Sequence, residues 1–67
     1  MDETLGRSLK KIRESKGLSQ KDLASAAGLA RETVSRIELG IRYPRTDTVR
    51  KLCSALGCSP NDLYMGG

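Results

Sequence analysis

Between residues 31 and 45 the chain gathers four arginines, Arg31, Arg36, Arg42 and Arg45, against two glutamates, Glu32 and Glu38. Guanidinium forks concentrated over so short a stretch suit phosphate oxygens, and a single fork can bond the O6 and N7 atoms of guanine together. Glu32 adds an acceptor for cytosine N4, Thr33 a methyl group that can meet the thymine methyl, and Ser35 a hydroxyl. Little other chemistry is on offer. The chain has no His, which removes the commonest general base and metal ligand, so hydrolytic triads and the usual zinc sites are not expected. Without paired carboxylates or a phosphate-cradling glycine loop, an enzyme is not expected either. Cys53 and Cys58 stand five residues apart with no third or fourth ligand, which does not support a zinc knuckle. They read as small apolar core residues rather than a redox pair. No metal and no cofactor are expected.

The arginines act together only if a helix and the loop after it hold them on one side, and the glycines indicate where such elements stop. Gly17, Gly28, Gly40 and Gly57 each follow a segment of helical character and are each followed by an apolar residue, Leu18, Leu29, Ile41 and Cys58. A left-handed glycine that ends a helix commonly tucks the next side chain back onto the last turn. Four stops imply five short helices. Leu5, Leu9 and Ile12 recur at i, i+4 and i+7, one apolar stripe on a helix over residues 4–16, whose other faces carry Arg7, Lys10, Lys11, Arg13 and Glu14. Ser19 and Asp22 form an S-x-x-D capping box that opens a second helix with Leu23, Ala24 and Ala27 inward.

The third helix, residues 30–39, turns Ala30, Val34 and Ile37 one way and Glu32, Ser35 and Arg36 nearly opposite, with Arg31 and Thr33 flanking. A fourth, residues 46–56, buries Val49, Leu52, Cys53 and Leu56, and Ser59, Pro60 and Asp62 are start signals for a short fifth helix holding Leu63. No segment alternates with period two, so the fold class is all-α. Gly28, Leu29 and Ala30 join the second and third helices, the helix-turn-helix spacing, over about residues 19–38.

At 67 residues the chain has room for one small domain, residues 1–67, and its net charge of +4 with a pI near 9.4 leans toward polyanions. The N-terminus is acidic and the apolar stretches are short, so neither a signal peptide nor a membrane span is expected, and the protein should be cytoplasmic.

The run Leu18-Ser19-Gln20-Lys21-Asp22-Leu23-Ala24, then Gly28-Leu29, then Thr33-Val34-Ser35-Arg36-Ile37-Glu38, then Gly40 and Pro44, resembles the Cro/repressor-type (lambda-repressor-like, XRE-family) helix-turn-helix transcriptional regulators of bacteria and phages. The likeness continues through Leu52-Cys53-Ser54-Ala55-Leu56-Gly57 and Asp62-Leu63 and covers nearly the whole chain. It implies a compact five-helix DNA-binding domain that places helix 30–38 in the major groove of double-stranded DNA. By the same resemblance, Arg31, Glu32 and Arg36 match base-reading positions, with Thr33 and Ser35 beside them. Gln20 matches a position that touches the DNA backbone or orients a recognition-helix side chain, Arg42 and Arg45 match a phosphate-gripping loop, and Glu38 matches a structural glutamate. Ala30 departs from the Ser or Thr usual at the start of the recognition helix. Leu39 and Ile41 stand where polar residues are more common, and Cys53 and Cys58 where Ala and Val are.

One such unit reads a half-site, so the resemblance also implies a homodimer on a pseudo-palindromic operator. The apolar residues with no clear place in the core, Leu39, Ile41, Tyr43, Tyr64 and Met65, are the candidate dimer patch. The alternative is a protein-interaction or antitoxin-like module on the same fold, which would not require the arginine-rich third helix and loop.

Overall fold

Apolar residues spaced three and four apart, punctuated by glycines, fold into α1 (Thr4–Ser15), α2 (Gln20–Ala27), α3 (Arg31–Glu38), α4 (Thr46–Leu56) and α5 (Pro60–Tyr64), as seen in a computed structural model that describes residues 4–64. Among the described residues there is no strand. Each helix contributes to one core: Leu5 and Leu9 from α1, Leu23, Ala24 and Ala27 from α2, Val34 and Ile37 from α3, Val49, Leu52, Cys53 and Leu56 from α4, and Leu63 from α5. Helix α2 packs on both α3 and α4, while α1 packs on α3 and α5. The arginine-bearing helix is thus backed from two sides.

The helix stops share one device. Leu18, Leu29, Ile41 and Cys58 each donate a backbone N–H to the carbonyl five residues earlier, those of Arg13, Ala24, Arg36 and Cys53, at 3.2, 2.8, 3.0 and 3.1 Å. The intervening glycine has positive φ in every case, which completes a Schellman motif. Leu18, Leu29 and Cys58 then lie half-buried against the core, as the tuck requires. Ile41 does not; it stands 66% exposed.

The starts divide in two. Ser19 caps α2 reciprocally: the Asp22 N–H donates to Ser19 Oγ at 2.9 Å, and the Ser19 N–H donates to the Asp22 carboxylate at 3.1 Å. These bonds, the one from the backbone first, hold the Asp22 carboxyl below its ordinary pKa. Ser59 and Asp62 repeat the arrangement at α5, at 3.4 and 3.0 Å. Helices α3 and α4 begin at Ala30 and Arg45 with no side-chain cap.

Two expectations are corrected. Ala30 is exposed at the N-cap instead of facing inward with Val34 and Ile37, because its extended backbone lies before the first helical turn. Arg13, expected on a solvated face of α1, is buried to 7% exposure. It lies at i+4 from Leu9 and i+8 from Leu5, on the apolar stripe itself, and is buried there because a carboxylate meets it.

Candidate nucleic-acid interface

Helix α3 presents two unlike sides because its apolar residues are three apart. Val34 and Ile37 are buried, Arg31, Glu32 and Arg36 are exposed, and Thr33 and Ser35 are half-buried at the borders. Arg42 and Arg45 are exposed in the loop leading to α4, where buried Pro44 between them pins the backbone. Arg45 is also the N-cap residue of α4, in extended conformation, so the loop's second arginine sits at a helix start.

The far end of α3 is held by a network. Glu38, only 3% exposed at its side chain, accepts from Arg13 twice, Nε at 2.7 Å and Nη2 at 3.1 Å, and from the Gln20 amide at 3.0 Å. Arg13 Nη1 donates to the Leu18 carbonyl at 2.7 Å. One carboxylate therefore ties together α1, the first residue of α2 and the last residue of α3. The hydrogen bond with Glu38 raises the pKa of Arg13 against the opposing effect of burial, so the guanidinium keeps its charge. No buried side-chain nitrogen or oxygen among the described residues lacks a partner.

Gly6 brings α1 against the same end. A methyl group added at its Cα would stand 2.4 Å from the Ile37 carbonyl oxygen and 2.8 Å from that of Glu38, so only glycine allows this approach. Of the residues expected to meet the DNA backbone, Arg42 and Arg45 share the loop after α3. Gln20 lies apart at the start of α2, with its amide nitrogen engaged by Glu38. Sequence reasoning missed Arg13 and Gly6 as supports of this arrangement. The i, i+4, i+8 run of Leu5, Leu9 and Arg13, and a glycine inside a helix, were the available signals.

Four of the apolar patch residues, Leu39, Ile41, Tyr43 and Tyr64, are 64, 66, 61 and 47% exposed, whereas Met65 lies outside the described residues. Ile41 and Tyr43, with Leu5, Gly6, Ile37, Gly40 and Arg42, line a shallow groove of about 210 Å³ beside the end of α3.

A family model described as helix-turn-helix matches residues 9–63 of this chain. The chain belongs to the helix-turn-helix family. Similar proteins include the SPbeta prophage-derived uncharacterized HTH-type transcriptional regulator YonR of Bacillus subtilis, 39% identical over 91% of this chain and 56% of that protein. Control protein C.BamHI of Bacillus amyloliquefaciens is 41% identical over 87% of this chain and 73% of its own length. This chain spans about half of YonR and 23% of a similar uncharacterized regulator of Mycobacterium bovis. Among solved structures, the restriction-modification controller protein C.AhdI of Aeromonas hydrophila superposes with a TM-score of 0.87 at 38% identity, covering 90% of this chain and 91% of that one. The clp gene regulator ClgR of Corynebacterium glutamicum gives 0.90 at 30%, over 96% of this chain and 68% of that one.

The all-α, five-helix, Cro/repressor-type reading of the sequence agrees with the family match and with these neighbours. Helices α2 and α3 are the helix-turn-helix pair. Among the described residues no helix is long and apolar enough to cross a membrane.

Proposed function

We propose that this helix-turn-helix protein is a sequence-specific, double-stranded DNA-binding transcriptional regulator, with residues 1–67 acting as one unit. The observation that carries the reading is the division of α3: its inner edge is buried and tied by Glu38, while Arg31, Glu32 and Arg36 stand exposed and are followed by exposed Arg42 and Arg45. In this reading α3 lies in the major groove with Arg31, Glu32 and Arg36 reading base edges and Thr33 and Ser35 beside them. Arg42 and Arg45 grip phosphates, and Gln20 orients Glu38 at the backbone-facing start of α2. Two copies occupy a pseudo-palindromic operator, and the exposed Leu39, Ile41, Tyr43 and Tyr64 supply apolar surface for their contact. The similarity to transcriptional regulators and to restriction-modification controllers supports this reading. The protein works without a cofactor and in the cytoplasm.

Selection of duplexes from a random library reports the half-site and its spacing, and two variants then separate the roles. Arg36→Ala lowers affinity for the selected site by about 1–3 kcal/mol and relaxes one base position, whereas Arg42→Ala weakens all duplexes alike and reduces the salt slope by about one. Equal losses on selected and random duplexes from both variants would refute the division between base and phosphate contacts. Sedimentation with and without the selected duplex tests the two-copy arrangement, and a single copy on a full site would refute it.

A further inference from the structure

Cys53 and Cys58 face each other across the stop of α4. The Cys58 N–H donates to the Cys53 carbonyl at 3.1 Å over Gly57, whose φ of 70° and ψ of 30° turn the chain back on itself. In this motif the side chain after the glycine folds onto the residue five positions earlier, and here both of those residues are free cysteines. Cys53 is buried, while Cys58 is half-buried and reaches solvent. Burial, followed by a side-chain hydrogen bond with Cys58 and the charges of Cys58 and Asp62, pushes the Cys53 thiol up to about 11. The sulfurs are therefore neighbours, one accessible to a reagent and the other shielded. Nothing in the DNA-reading face uses them.

We propose that Cys53 and Cys58 are an oxidisable dithiol that a peroxide converts to an intramolecular disulfide across the α4 stop. In the first step the Cys58 thiolate attacks one peroxide oxygen; the S–O bond forms, the O–O bond breaks, and water or an alcohol leaves. Cys53 then loses its proton to solvent and attacks the Cys58 sulfur; the S–S bond forms, the S–O bond breaks, and the departing hydroxide is protonated to water. Two thiols give up two electrons and the peroxide takes them. The Cys58 N–H bond to the Cys53 carbonyl holds the two residues side by side, the approach that a disulfide needs. The product covalently locks the last turn of α4 to the link that starts α5. Cys53 attacks as a thiolate, and burial first, then the nearby Asp62 carboxylate of α5, disfavours that charge, so closure quickens as pH rises.

The test treats the reduced 67-residue chain with hydrogen peroxide, denatures it in the presence of iodoacetamide, and weighs it intact. Expected is a monomer about 2 Da lighter that takes up no alkyl group, and that regains two alkylatable thiols after reduction. Cys53→Ser stops at a Cys58 sulfenic acid captured by dimedone, and Cys58→Ser leaves Cys53 unoxidised and alkylatable. Wild-type protein that keeps alkylatable thiols, accumulates a Cys58 sulfinic acid without closing, or cross-links two chains would overturn the proposal.

Discussion

The two ends of α3 are built by opposite means. At its C-terminal end Glu38 is buried, accepts three hydrogen bonds from Arg13 and Gln20, and lies under a glycine of α1 that no other residue could replace without a shift. At its N-terminal end Ala30 contributes no capping bond, and Arg31 and Glu32 stand in solvent. A helix of only eight residues carries both the clamped end and the open one. On the proposed reading, in which α3 meets a rigid duplex, its orientation needs to be set before binding, and the clamp sets it from behind, where no contact with a partner is needed. The open end leaves backbone N–H groups and long side chains uncommitted on the side that faces outward.

Breaking the clamp should have the largest effect. Glu38→Ala strands the Arg13 guanidinium in a buried site and should cost about 3–5 kcal/mol in urea unfolding, whereas Arg13→Met combined with Glu38→Leu, which buries no lone charge, recovers part of that loss. A cost below about 1 kcal/mol would mean that the clamp does not hold α3. Next comes Gly6→Ala. Alanine favours a helix by about 1 kcal/mol over glycine, but here its methyl group meets two backbone carbonyls, so the net change should be destabilising by about 1–3 kcal/mol. A net stabilisation would show that α1 can slide away from α3 at no cost. The smallest effect belongs to the open end. Ala30→Ser supplies the missing cap and should raise stability by about 1 kcal/mol. Measured beside the other variants, a gain at this end and losses at the other would confirm that the two ends differ in how they are held. No gain would mean that the N-terminal turn already satisfies its donors by other means.

Much of the fold was legible because it rests on local rules. The four glycine stops, the Ser19 and Ser59 starts and the missing cap at Ala30 each depend on residues within about one turn of each other. The inward faces of α2 and α4, and Val34 and Ile37 of α3, followed from spacing alone. Arg13 and Gly6 were not legible in the same way. Their partners lie 25 and more residues away, and a charged residue on an apolar stripe reads as an error in the stripe until the carboxylate that pairs with it is seen. Ile41 shows the converse. Its local signal, an apolar residue after a stop glycine, was read correctly as a backbone motif, yet the side chain found no core to enter and remains on the surface beside the groove.

By itself, the sequence determined the helices, the limits of α2, α3 and α4 to within one residue, the polar face of α3 and the cluster of arginines that follows it, because periodicity, capping and left-handed turns are settled by near neighbours. Only the tertiary structure decided how α3 is aimed. That depends on Glu38 reaching Arg13 and Gln20 across two other helices and on α1 closing to backbone contact at Gly6. A buried charge is stable only where its partner is, and the partner's place is known only once the chain has folded.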